Sequence, residues 1–251
     1  APVHPLLSER EFVKEVKLQN PKVLAISDIN FSRFAKHKEG AKLVYCPYML
    51  HAFFGLPFAK HFEEYNGDGN IPALHMHSGG TSGVPKTVVL SHYGANALVD
   101  NLLTSIPYDF DKKDSMLVTL PMFHGFGLIV GVHASLSTDM TAVLIPRFSG
   151  KIALDAIRKN GVTTVIAIPR MLTKFLETKG FHGQNVSTLA NVFVGGDTLT
   201  KKLALDFNDR MERAGATAVA QQGYGLTEIG SVCVLSPKDG EVGSIGRTIN
   251  N

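Results

Sequence analysis

The 251-residue chain predicts an α/β fold with mainly parallel sheets. Three observations carry that reading. Short apolar runs alternate with helical segments along most of the chain. Helix caps and glycine stops fall between them. Gly-rich polar segments come directly after several of the apolar runs. Alternation of this kind builds βαβ units, with helices on the sheet faces, and ligands bind beyond the carboxyl ends of such strands.

The first elements lie before residue 65. Glu9 to Leu18 reads as helix, Lys22 to Ser27 as strand, Asp28 to Lys38 as helix and Lys42 to Tyr45 as strand. Tyr65 to Asn70, rich in Gly, Asn and Asp, is the linker candidate and divides two subdomains near residues 65–71. Ile71 to Met76 and Thr87 to Leu90 are strands enclosing a polar loop. Ser91 is an N-cap for a helix through Asn101. Ser115 to Leu120 is a strand, Gly125 to Leu136 a buried apolar helix, and Thr141 to Ile145 a strand. Lys151 to Asn160 is a helix stopped by Gly161. Thr163 to Ile168 is a strand, Arg170 to Thr178 a helix and Asn191 to Val194 a strand. Thr200 to Arg213 is a helix stopped by Gly215, and Ala216 to Ala220 is the strand after it. The segments after Met76, Leu120, Val194 and Ala220 thus lie at strand ends and can converge.

Composition narrows the function. Hydrophobic residues make up 44% and charged residues 19%, which suits a globular chain with a sizeable core. A net charge of +3 gives no case for nucleic acid. Lys112-Lys113 and Lys201-Lys202 read as solvated helix starts. Cys46 and Cys233 are isolated in sequence, as reduced thiols are. The start, APVHPLLSER, lacks the pattern of a secretory signal. Phe126 to Leu136 is too short for a membrane span. The expectation is a soluble, cytoplasmic protein. His75 and His77 share one face of a strand, but no third and fourth ligand stands at a convincing spacing, so no zinc site is expected.

The segment Ser78-Gly79-Gly80-Thr81-Ser82-Gly83-Val84-Pro85-Lys86 carries the most chemistry. Its glycines let backbone amides turn toward an anion. Ser78, Thr81 and Ser82 offer hydroxyls, and Lys86 a positive charge. It is not a P-loop, because Val84 and Pro85 separate Gly83 from Lys86. It is not a dinucleotide fingerprint either, because that motif opens a helix and Pro85 to Val89 reads as strand. A plain surface turn is the alternative.

This loop resembles the phosphate-binding signature T-S-G-[ST]-T-G-x-P-K-G of the adenylate-forming superfamily, which includes acyl-CoA synthetases, luciferases and adenylation domains. Gly79 stands where a Ser is usual, and Thr87 where a Gly is. Further segments resemble that family in its own order. Pro121 to Gly127, PMFHGFG, resembles the P-x-F-H-x-x-G acyl-pocket segment. Gly195-Gly196-Asp197 resembles the turn beside adenine. Gln222-Gly223-Tyr224-Gly225-Leu226-Thr227-Glu228 matches Q-G-Y-G-x-T-E, and Gly243 to Arg247 resembles G-S-x-G-[RK].

The resemblance implies a layered αβαβα arrangement and ATP-dependent activation of a carboxylic acid to an acyl-adenylate. It implies that Ser78 to Gly83 and Lys86 hold the β and γ phosphates, and that Thr227 donates to the α-phosphate. Glu228 would hold Mg²⁺. Tyr224 would face adenine, with Gly195, Gly196 and Asp197 as the opposite wall and Gln222, Gly223 and Gly225 completing the turn. His124, Gly125 and Gly223 would border the acid. Thr227, Glu228 and Lys86 are the catalytic candidates. CoA or a carrier protein as acceptor is implied by analogy.

Other readings stand beside these. His124 could be a hydrogen-bonded core histidine, Tyr224 a packing residue and Glu228 a solvated carboxylate near a helix start. Asp197 could cap the helix that begins near Thr200, and Lys86 could be a mobile cover. Val192 to Gly195 offers no carboxylate for an amino group, which favours an apolar or aromatic acid. VHPLLSEREF resembles a segment that normally comes after a substantial N-terminal region. The family's ribose-gripping aspartate and C-terminal lid have no match. The chain is therefore expected to be part of a large N-terminal domain, weakly active or inactive alone. A non-catalytic nucleotide- or acyl-binding module is the alternative.

Overall fold

The computed structural model describes residues 1–46, 66–78, 86–145 and 147–250. The chain divides into two compact units, Ala1–Asp68 and Gly69–Asn251.

The first unit contains α1 (Glu9–Gln19), β1 (Val23–Ser27), α2 (Asp28–Phe34) and β2 (Lys42–Cys46), with β1 and β2 parallel. Ser8 and Glu11 close α1 with reciprocal capping bonds, which satisfy two of the orphan donors at a helix start. Phe12 stacks on Phe34 at 4.1 Å, and with Val16 and Ile26 they form a small core.

The second unit opens with a hairpin of β3 (Pro72–Ser78) and β4 (Lys86–Ser91), antiparallel, with Ser78 opposite Lys86. The ends of the Gly-rich segment are thus held one strand spacing apart. Residues 79–85 lie outside the described residues. Ser91 caps α3 (His92–Thr104) by accepting from the Gly94 amide.

The rest of the unit is built on a seven-stranded sheet. Its strands are β5 (Ser115–Val118), β6 (Thr141–Leu144), β7 (Thr164–Ala167), β8 (Asn191–Val194), β9 (Ala220–Tyr224), β10 (Val234–Leu235) and β11 (Arg247–Thr248). The spatial order is β11-β10-β9-β8-β7-β5-β6. The five strands from β6 to β9 are parallel, and β10 and β11 add an antiparallel margin. β5, β7 and β8 are buried at every position, as strands covered on both faces must be.

Helices α5 (Gly150–Asn160), α6 (Pro169–Glu177) and α7 (Lys201–Arg213) cover one face of this sheet. Their apolar stripes meet Leu117, Val165 and Val192. The other face packs against α3 and an apolar helical run. That run is a π-helix, Phe126–His133, continued by a short α4 (Ala134–Ser137). The expected buried helix is therefore present but wound more widely over most of its length. Gly127 and Gly131 let it lie close to the strands. A side chain at Gly127 would collide with the Pro121 carbonyl oxygen, and a Cβ at Gly131 would come within 2.9 Å of Val118 Cγ1. Turns of this kind recur at functional sites.

Two expectations are corrected. The strand expected at Ala216 to Ala220 runs instead over Ala220–Tyr224. Residues 216–219 carry the chain from α7 back to the sheet, with the Ala218 amide donating to the Leu189 carbonyl. Pairing with β8 and β10 on both sides makes a strand of a Gln- and Gly-containing sequence whose propensity is poor. Lys112-Lys113 opens no helix but sits in a turn closed by Asp111, whose Oδ1 accepts from the Lys113 amide at 2.6 Å. Lys201-Lys202 does open α7.

Candidate functional site

The strand order reverses direction between β5 and β7. From β5 the chain goes to β6 on one side, and from β7 to β8 on the other. A cleft opens beyond the carboxyl ends of strands at such a switch point. Hydrogen bonds hold its floor. The Thr119 hydroxyl donates to the Ile166 carbonyl at 2.6 Å, and the Gly195 amide to the Ala167 carbonyl at 3.1 Å. They fix the exits of β5 and β8 against β7.

A cavity of about 360 Å³ occupies this place. Pro121, His124 and Gly125 enter it after β5, Gly195 and Gly196 after β8, and Gly223, Tyr224, Gly225 and Thr227 from the end of β9. Segments more than 100 residues apart in sequence thus meet at one opening. Gly196 needs to be glycine because its φ is +78°. Gly225 needs it for a different reason, because any Cβ would strike the Ser231 carbonyl. A Cβ on Gly125 would likewise strike the Gly230 carbonyl. The turns lie backbone against backbone, and Tyr224 and the Gly195–Gly196 turn line the same cavity. A Cβ at Gly195 would stand 3.2 Å from Phe126 and 3.4 Å from the Gly223 carbonyl oxygen.

Thr227 and Glu228 belong to a single 3₁₀ turn, Thr227–Ile229, which packs against the β3–β4 hairpin. Thr227 lines the cavity, and Glu228 beside it is exposed. Ser78 is buried at the end of β3, and Lys86 exposed at the start of β4. The TE turn therefore neighbours the hairpin that carries the Gly-rich segment. Gly79, Gly80, Thr81, Ser82 and Gly83 fall outside the described residues.

Other sequence candidates sit less centrally. Gln222 lines a separate hollow with Leu199 and Asn208, because its side chain takes the strand face opposite Gly223. Asp197 is exposed, and its carboxylate accepts from the Thr198 amide at 2.7 Å. It does not cap α7. That position belongs to Thr200, whose hydroxyl accepts from Leu203. The ring of His124 lies 4.7 Å from that of Phe123.

Sequence reasoning missed much of the apolar lining, namely Leu102, Val130, Ile168, Phe193 and Leu235. As isolated apolar residues they are indistinguishable from core. Phe126 was reached, because it lies inside the PMFHGFG segment.

The donor set suits a magnesium nucleotide. Thr227 offers a hydroxyl, Glu228 a hard carboxylate oxygen and the glycine turns their backbone, while a metal of this kind binds through phosphates and few carboxylates. The described residues contain no group of three or more His, Cys, Asp or Glu able to hold a metal by themselves.

Known proteins resemble this chain in sequence and in fold. The chain is 28% identical over 185 residues to 4-coumarate–CoA ligase 4 of Arabidopsis thaliana, a match over 70% of this chain and 31% of that protein. It is 30% identical over 172 residues to the fatty acid–[acyl-carrier-protein] ligase ScoC of Streptomyces coeruleorubidus, over 67% of this chain and 32% of the relative. It thus spans about a third of the length of these relatives. The crystal structure of ATP-bound MatB from Rhodopseudomonas palustris superimposes with a TM-score of 0.84 at 18% identity, over 99% of this chain and 49% of that one. Its fold is the same. A family model matches residues 1–251 from end to end, and the chain belongs to the AMP-binding enzymes.

Proposed function

We propose that this chain forms the nucleotide- and acid-binding core of an ATP-dependent ligase that activates a carboxylic acid. The observation that carries the reading is the convergence of the His124–Gly125, Gly195–Gly196 and Gly223–Thr227 segments on one cavity, with the TE turn packed on the phosphate-loop hairpin. In the reaction, a carboxylate oxygen attacks the α-phosphorus of ATP. The bond to the bridging oxygen of pyrophosphate breaks, and acyl-adenylate and pyrophosphate result. Most of the catalytic demand is to position two anions and stabilise charge on phosphate oxygens.

The residues divide that work. Tyr224 and the Gly195–Gly196 turn sandwich adenine. Thr227 donates to the α-phosphate, and Ser78 to Gly83 with Lys86 hold the β and γ phosphates. Asp197 follows the Gly195–Gly196 turn at the margin of this site, and Gln222, turned to the opposite face, supports the strand that carries Gly223 and Tyr224. Glu228 would hold Mg²⁺, which when bound neutralises charge on the phosphate oxygens. His124 and Gly125 border the acid's carboxylate.

CoA or a carrier protein is the acceptor we favour, because named CoA and acyl-carrier-protein ligases are among the relatives. A cytoplasmic setting fits two unpaired cysteines, Cys46 and Cys233. No helix among the described residues is long and apolar enough to cross a membrane. The test is pyrophosphate exchange into ATP with a panel of carboxylic acids. Acid-dependent exchange supports the reading. ATP binding with no exchange for any acid would point to a non-catalytic binding module.

A further inference from the structure

One side chain that lines the cavity is not used by the chemistry above. Leu235 of β10 stands opposite Gly223 of β9 in the antiparallel register. A Cβ built on Gly223 would lie 3.6 Å from Leu235 Cδ1, an ordinary van der Waals contact. The leucine therefore leans over the space that the glycine leaves. It is 6% exposed and packs in the core layer that holds Leu102 and Phe193. It lines the cavity of about 360 Å³. It also lines a second hollow of about 390 Å³ with Ser105, Gln221, Ser236 and Arg247. Gln221 is two residues before Gly223, so it takes the same sheet face one pleat further from the carboxyl ends of the strands. Its Nε2 donates to the Ser236 carbonyl at 3.1 Å, and its buried Oε1 has no partner among the described residues. Leu235 is thus shared by the two hollows, which are mostly apolar on the site's side and more polar on the other.

The charge pattern of the cavity is equally informative. Among the described residues that line it there is no Asp, Glu, Lys or Arg. Apart from His124, which borders the first carboxylate, a second charge on the acid would meet no ionisable partner among the described lining residues, and an unpaired buried charge is unfavourable.

We infer that the acid is a monocarboxylic acid with an uncharged apolar body, and that Leu235 is the stop that sets how long that body can be. The inference rests on the acid-activating reading above. Leu235→Ala removes the isopropyl group shared by the two hollows and admits a longer body. Leu235→Phe fills the space over Gly223 and shortens it. One methylene more or less in an apolar pocket is worth roughly tenfold or more in discrimination.

The test measures kcat/KM for pyrophosphate exchange by the intact protein that contains this chain. Two series of monocarboxylic acids of rising length are used, straight-chain and phenyl-ended, with dicarboxylic acids of matched length. The parent should show a length cut-off and reject the dicarboxylic acids. In Leu235→Ala the ratio of kcat/KM for the first excluded acid to that for the last accepted one should rise by about tenfold or more, and in Leu235→Phe the cut-off should move to shorter acids. Leu235→Val, a shape that strands tolerate, repeats the first arm if the alanine variant fails to fold. An unmoved cut-off in folded variants, or dicarboxylic acids used as well as monocarboxylic ones, overturns this inference alone. No exchange by the parent with any acid overturns the underlying reading as well.

Discussion

Glu228 is exposed on the turn whose neighbour Thr227 lines the cavity, so its value lies in chemistry rather than packing. Glu228→Gln should therefore lower pyrophosphate exchange by a factor of roughly 100 or more, a loss of several kcal/mol in transition-state stabilisation. Stability should stay within about 0.5 kcal/mol of the parent, as for other surface changes. Exchange within a few-fold of the parent would remove Glu228 from the metal role. Gly225 behaves oppositely. Gly225→Ala places a methyl group against the Ser231 carbonyl, and backbone must move to admit it. Denaturant unfolding should show a loss of more than about 2 kcal/mol, of the order that overpacking costs. An alanine tolerated there at no cost would contradict the close approach of the two segments. These glycines were legible in the sequence because a close approach or a positive φ is a local demand that one residue type meets. Leu235 and Phe193 were not, because an apolar residue facing a cavity and one facing core obey the same patterning rule.

At the scale of elements, cores and caps give separate tests. Phe175 is buried in α6 and stacks on Phe181 at 4.7 Å. Phe175→Ala should cost about 3–5 kcal/mol by calorimetry or denaturant melt, through lost burial and the cavity left behind. Thr200→Ala removes the N-cap of α7 and should cost about 1 kcal/mol. The connection between α3 and β5 carries a titration signal. Burial first, and the hydrogen bond from its hydroxyl to Asp114 second, push the Tyr108 phenol from 10.0 up to about 12. A folded pKa above the unfolded one means that its contribution is fully present below pH 10.0 and is lost as pH rises through about 12. An ultraviolet titration should show a late phenolate that Tyr108→Phe deletes, and a variant with an unchanged titration curve would refute the assignment. Element reading from sequence succeeded where a cap or a glycine stop agreed with apolar periodicity, as at Ser91 and Gly161. It misplaced β9, because strand pairing on both sides overrides the weak propensity of Ala220 to Tyr224, and it could not see that the Phe126–His133 helix winds as π.

In the second unit taken whole, five parallel strands with their covering helices deliver three loop segments to one end of a sheet, and an antiparallel margin brings Leu235 beneath them. The α/β class was legible from alternation alone, since each strand–helix pair carries its own signal. The order of strands was not, because nothing in β5 or β6 states which neighbour it will take. The central claim is that this site joins an acid to adenylate. It is tested most directly by incubating the intact protein that contains this chain with ATP, magnesium and single carboxylic acids, and measuring both pyrophosphate exchange and the acyl-adenylate by mass. The expected result is exchange that depends on the acid, with an adenylate of matching mass. Saturable ATP binding accompanied by neither exchange nor adenylate, across charged and uncharged acids alike, would contradict it.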